Sequence, residues 1–480
     1  MRAKALTAAL LVSAACSSVA WAEDARVTLQ DRKALSLTVY NGGTGLVRDT
    51  RTVAVLAGRS VLSFVDVAAQ IQAETALLKG APFDVREQNF DFDLLSPEKL
   101  LEKSVGRTVR LVHTNPGTGA ETTETATVLG ATGGVVLKIG DRVETMSGAT
   151  SVNTRLLFDS LPANLRSRPT LSMSVEAASP VTRDLMLTYM TGGLDWKADY
   201  VANLAPDEKS LSLQGWITIT NTSGTPYDNA RVQVVAGQLN RVSQNYSRDM
   251  EAMAAPMVTV TAKRGATEES FFEYHLYTLP GAVSLAENQT KQVAMLEAPR
   301  IAATRVLESR GGGYWYMSRV GQMQPQPASI SLKFDNKETA GLGKPLPGGV
   351  VRVYKDDSSG QTQFVGEDNI RHTPRNEEVT LNLGQAFDVT VNRKQTDFKQ
   401  VNTSEGQLSE ATSSWELTVK NGKKEPVDVR VVESMQGDWT VTAESLPHKK
   451  DSANEAVWTV RAPAEGQTTF NYTVLTRNTP

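Results

Sequence analysis

The densest grouping of side chains able to do chemistry is Glu367, Asp368 and His372, in the stretch VGEDNIRHTPR. Two carboxylates and an imidazole are the ingredients of an acid–base or metal site. On an extended strand alternate residues share a face, so Asp368 and His372 fall together. The plainer reading is a solvated hairpin. A zinc site needs three or four converging ligands. The four histidines, His113, His275, His372 and His448, are scattered, and no HExxH motif is present. Asp91 and Asp93 in FDFDLL share a face, as the paired acids of sugar hydrolysis would, or else mark an exposed strand edge. Asp356 and Asp357 offer too few ligands for calcium. Nucleophile-elbow, phosphate-loop and dinucleotide motifs are absent. Tyr314, Trp315 and Tyr316 follow three glycines. Aromatics on a loop can stack on a glycan or a peptide, with alternation leaving Trp315 opposite its neighbours; ordinary core burial is the other reading. No catalytic residue, metal or cofactor is expected.

The elements that must position these groups are strands. From Thr182 to Asn240, apolar residues alternate in four runs: Leu185, Leu187, Tyr189; Trp196, Ala198, Tyr200, Ala202, Leu204; Leu211, Leu213, Ile217, Ile219; and Val232, Val234. Period two is the signature of a sheet face. Gly192-Gly193, Pro206-Asp207 and Ser223-Gly224-Thr225-Pro226 mark turns. This predicts a four-stranded antiparallel core filled by Trp196 and Trp216, with Trp196 an anchor rather than a ligand-stacking residue.

Residues 23–95 read as a small antiparallel sheet of short strands. Ser96 caps a short helix with Pro97 at its first position, and the strands that follow make 96–165 an SH3-like β-barrel or meander. Residues 168–395 form the main β-sandwich domain, interrupted by a polar, mobile insertion at 241–270. Within it, Val258–Ala262 resembles the short peptides that outer-membrane transporters show to an energising partner; an incidental β-prone run is the plainer reading. Phe271–Tyr277 resumes the strands, and Asp356–Gly360 turns a hairpin. Residues 396–412 read as a polar linker. The tail, 413–480, repeats short strands at immunoglobulin-like spacing and is expected to fold alone around Trp415, Trp439 and Trp458. The fold class is all-β and multidomain: an antiparallel β-sandwich core, a small SH3-like module and a C-terminal immunoglobulin-like domain.

Residues 1–22 have the form of a secretory signal peptide. Arg2 and Lys4 precede an apolar run, and Ala20-Trp21-Ala22 places cleavage before Glu23. The run is shorter than the ~20 residues needed to span a bilayer. The alternative is lipidation of Cys16, the only cysteine, although Ser13 stands where such sites usually carry Leu. Removal of Arg2 and Lys4 leaves 48 basic residues (50 minus two) against 53 acidic, a net −5. That balance excludes nucleic acid as the main partner. No later stretch is long and apolar enough for a transmembrane helix. The expected compartment is the periplasm.

Two blocks carry a family resemblance. One is LTYMTGGLDWKADYVANL with QGWITITNTSGTPYDNARVQVVAGQLN; the other runs from LGKPLPGG through VGEDNIRH to LGQAFDVTV. The spacing of Tyr189, Trp196 and Tyr200, then LPGG, GED and the LG-AFDV ending resembles the domain of unknown function 4139. That family is found in exported bacterial proteins and is related to the mucoidy inhibitor A group. The resemblance covers roughly Leu171 to Arg393. It implies a β-rich exported protein and brings no assigned reaction. The expected function is a non-enzymatic β scaffold or binding protein of the cell envelope, its partner a protein or a glycan. The alternative is a carbohydrate-active hydrolase with an immunoglobulin-like accessory module. A deep acidic cleft would favour the enzyme; flat grooves and exposed sheet edges would favour the scaffold.

Overall fold

The computed structural model describes residues 24–80, 83–91, 96–147, 150–151, 153–160, 168–237, 240, 257–260, 266–321, 323–402 and 409–478. Residues 1–23, which include Cys16 and the expected signal peptide, and Asp93 of the paired acids lie outside these residues. The protein is nearly all β, with several sheets and more than one domain. The chain divides into two compact units.

The first unit takes the chain up to Leu37, then Thr44–Gly193 and Thr222–Ala230. Its opening strands do not form the single antiparallel sheet expected of residues 23–95. Asp24–Val27 pairs parallel with Gly58–Val65, which is followed in the same sheet by Thr170–Ala177 and Asp84–Asp91. In another sheet Val181–Gly192 lies between Thr44–Val55 and Ile71–Lys79. Alternation along Thr44–Val55 puts Asp49 and Arg51 on the buried side. A buried charge needs a partner and hydrogen bonds. Arg51 donates to Asp49 at 2.8 and 3.0 Å and to the carbonyls of Val27 and Val65 at 3.0 and 2.8 Å. Arg32 closes a second fork on Asp49 at 3.0 and 2.8 Å. Burial alone would raise the Asp49 carboxyl, but the two guanidinium groups outweigh it and hold it below the usual range.

The helix Pro97–Glu102 stands where the sequence predicts it, with Ser96 Oγ accepting from the Lys99 amide at 3.2 Å. The strands after it form an open six-stranded meander, not a barrel, in the order Arg142–Met146, Val135–Ile139, Glu121–Gly130, Thr108–Thr114, Thr154–Leu157, Thr150–Ser151. Leu101 of the helix joins Leu111, Val128, Val135 and Leu137 in its separate core.

In the second unit Leu194–Leu204 and Ser210–Asn221 are antiparallel neighbours, and Gly349–Asp356 pairs parallel with Leu194–Leu204. The four runs between 182 and 240 are therefore all strands, but not one sheet: the chain passes from the first unit to the second after Gly193. Trp196, Ala198 and Tyr200 are buried, and Trp196 Nε1 donates to the Val235 carbonyl at 3.2 Å. Trp216 is only half-buried, so it does not share the core role expected of it.

Further corrections follow from the long strands Gln289–Gly311 and Glu378–Asn402. Gln289–Gly311 pairs with Ser210–Asn221 through its first part and with Gln326–Asp335 through its second. Met257–Val260 pairs beside it and Thr267–Phe271 forms a hairpin with Tyr274–Leu285, so parts of the expected mobile insertion are regular sheet. Residues 241–256 and 261–265 are outside the described residues. The run Phe271–Tyr277 is not one strand, because Phe272 turns at φ 55°. The expected linker is mostly strand as well, since Glu378–Asn402 pairs with Ser409–Asn421 out to Asn402 opposite Ser409.

The tail strands also do not enclose a core of their own. Trp415, Trp458, Phe470 and Tyr472 pack in one cluster with Leu307, Trp315, Tyr316, Ala328 and Val389. Arg393 and Glu433 lie inside this region, both fully buried and 2.8 Å apart. Arg393 also donates to Ser309 Oγ at 3.0 Å and to the Ser309 carbonyl at 3.2 Å.

Candidate functional site

The aromatic trio falls on a 3-10 helix, Gly313–Met317, not on a strand, so its residues do not alternate. Tyr316 is fully buried and donates to Glu433 at 2.5 Å while sharing a 2.7 Å contact with the Tyr472 hydroxyl. Burial, with the Glu433 charge added, pushes the Tyr316 phenol up. Trp315 packs on Trp415 with ring centroids 6.3 Å apart. Only Tyr314, 69% exposed, remains open to a ligand.

The polar trio is likewise taken apart. The strand Thr362–Ile370 ends before His372, so the shared face never forms. Glu367 pairs with Arg352 at 3.2 Å. Asp368 accepts from the Asn382 amide at 2.7 Å and from Asn382 Nδ2 at 3.0 Å. These carboxylates hold strands in place. Asp357 accepts from Ser359 Oγ at 2.6 Å and Gln363 Nε2 at 2.9 Å, and from the amides of Gln361 and Ser359, and so orders the hairpin turn; these hydrogen bonds, the Ser359 hydroxyl foremost, lower its carboxyl pKa. Among the described residues no group of three or more His, Cys, Asp or Glu is arranged to hold a metal ion.

His372 instead joins a depression of about 220 Å³ with His275, Tyr277, Glu273, Pro345, Leu346, Pro347 and Pro374. The wall is built on the segment Pro345–Gly349. Tyr277 donates to the Pro345 carbonyl at 3.0 Å and Tyr200 to the Pro347 carbonyl at 2.7 Å. Burial raises both phenols, with Glu268 adding for Tyr277 and Tyr277 adding for Tyr200. Gly349 follows in parallel register with Ala198, and a Cβ there would lie 2.1 Å from the Ala198 carbonyl oxygen, so only glycine fits. On the strand Tyr274–Leu285, period two places His275 and Tyr277 on one side.

The two imidazoles have defined tautomers. His275 Nδ1 lies 2.7 Å from Glu268 Oε1. A carboxylate only accepts, so Nδ1 carries a proton and, in the neutral ring, Nε2 is a lone pair. His372 Nδ1 accepts from the Gly348 amide at 3.1 Å, so the neutral ring carries its proton on Nε2. Partial burial and the neighbouring His275 lower the His372 pKa. The hydroxyls nearby are engaged: Thr373 donates to the Arg371 carbonyl at 2.8 Å and Tyr277 to Pro345. Besides the Glu273 carboxylate, the two neutral imidazoles therefore offer the depression one acceptor and one donor.

A family model described as a domain of unknown function, DUF4139, matches residues 185–478. The chain belongs to the DUF4139 family. No curated protein matches it. The DUF4139 match runs through the tail, beyond the limit near Arg393 expected from the sequence blocks. It includes every residue of the depression. The two resemblance blocks also meet in space, where Ala198–Leu204 pairs parallel with Gly349–Lys355. Within the second block Gly366 packs against Leu383, where a Cβ would lie 2.7 Å from the Leu383 carbonyl oxygen, and Asp368 holds Asn382. Sequence reading missed His275, Tyr277 and Glu268. The available signal was the period-two pair His275 and Tyr277, but its partner segment, Pro345–Pro347, lies some seventy residues on.

Proposed function

We propose that this DUF4139 member is an exported, non-enzymatic β scaffold of the bacterial cell envelope that binds another envelope component. The observation that carries this reading is the depression at Pro345–Gly349. It is partly open, three prolines are among its lining residues, and Glu273 is the one carboxylate there. A deep cleft with two opposed acids would instead have supported sugar hydrolysis. Of the acids singled out for chemistry, Glu367 and Asp368 are engaged in holding Arg352 and Asn382. Tyr200 and Tyr277, which could have supplied reactive hydroxyls, fix backbone carbonyls. Groups used this way build a rigid surface, which suits recognition. Export rests on the form of residues 1–22. The intact mass of the protein recovered from the periplasm tests it: cleavage before Glu23 is expected, and a diacylglycerol-modified Cys16 would replace this with a lipoprotein. In vivo crosslinking from the rim of the depression tests binding. A discrete crosslinked envelope component is expected, whereas release of reducing sugar from envelope polysaccharide by the purified protein would overturn the non-enzymatic reading.

A further inference from the structure

The depression has a chemical polarity that narrows what it binds. His275 shows a lone pair at Nε2 because Glu268 holds its Nδ1 proton. His372 shows an N–H at Nε2 because the Gly348 amide occupies its Nδ1. A metal ion at both Nε2 atoms would require the His372 proton to move to Nδ1, where it would face the Gly348 N–H. The pair therefore disfavours a metal and suits a ligand with one donor and one acceptor side by side. An extended peptide residue has that pattern, because its own N–H and C=O point to the same edge of the strand.

The walls agree with a peptide. Pro374 supplies the exposed apolar part of the wall, above a floor of Pro345, Leu346, Pro347 and the Tyr277 ring that are all buried, so Tyr277 offers no exposed face for a sugar ring. Glu273 is exposed at the same depression and supplies a negative charge. We propose that the depression binds an extended peptide segment, one apolar residue giving its N–H to His275 Nε2 and its carbonyl to the His372 N–H, with a Lys or Arg beside it facing Glu273. This rests on the binding-protein reading and names its ligand class.

The test uses the full mature chain at pH 8 and the probe N-acetyl-leucyl-lysine methylamide, followed through the ring signals of His275 and His372 by NMR. Saturable shifts of both rings are expected. His275→Phe and His372→Phe should each weaken binding by about tenfold or more, with thermal melts close to wild type. Glu273→Gln should weaken this probe by a few-fold and leave N-acetyl-leucyl-glutamine methylamide unchanged, since only the charged pair is lost. Ring signals unmoved by the dipeptide would overturn the proposal. So would saturation by N-acetylglucosamine or by zinc with the same histidine dependence. If a His275→Phe, His372→Phe double variant still forms the envelope crosslink, this site is wrong and the binding reading stands. If the wild-type protein forms no crosslink either, both fail.

Discussion

Two polar regions of the second unit use similar residues to opposite ends. Around Glu433 the charged and hydroxyl groups face one another: Arg393, Tyr316, Tyr472 and Ser309 close together with the ion pair fully out of water. Around His275 and His372 each Nδ1 is fixed by Glu268 or Gly348, and both rings line an open depression. The first arrangement is sealed and holds the fold. The second is fixed on one side of each ring only, the arrangement that the proposed peptide site requires. Burial and partner count, more than residue type, separate the two.

The largest test of the contrast concerns the sealed region's origin in distant segments. Because Leu307, Trp315, Tyr316 and Ala328 complete the core around Trp415 and Trp458, the isolated fragment 413–480 should show no cooperative melting transition by circular dichroism. A sharp transition would restore the tail as a self-sufficient domain. Next, Glu433→Ala leaves the Arg393 charge buried without its partner and should cost about 3–5 kcal/mol in denaturant unfolding. A loss under about 1 kcal/mol would mean that water reaches the pair.

Tyr316→Phe keeps the ring packing and removes one hydrogen bond to the carboxylate, so about 1–3 kcal/mol is expected. An unchanged unfolding midpoint would show that the hydroxyl is dispensable.

The smallest effect belongs to the open region. The folded His372 has a lowered pKa, so folding favours its neutral ring. Its contribution is present above the unfolded value of about 6.5 and is lost as pH falls through the folded pKa. Protonation also forfeits the bond from Gly348, because an imidazolium only donates. An NMR titration should place the His372 midpoint below 6.5, and a midpoint at or above it would contradict the tautomer assigned here.

What could be read from the sequence was local. Alternation at Leu185–Tyr189 and Trp196–Leu204 predicts strands because side-chain direction along a strand depends only on the chain itself. Ser96 and Pro97 announce a helix start for the same reason. The spacing of Tyr200, LPGG and GED was enough to point to the family, and the DUF4139 match bears that out. The grouping of side chains was not local. Glu367, Asp368 and His372 are neighbours in sequence, yet a strand end sends His372 to a different set of partners. His275 and His372 are ninety-seven residues apart and line one depression. Tyr316 looked like a ligand-stacking residue until a 3-10 turn rotated it toward Glu433. Strand pairing and register decide such meetings, and they depend on contacts between segments that no local pattern encodes.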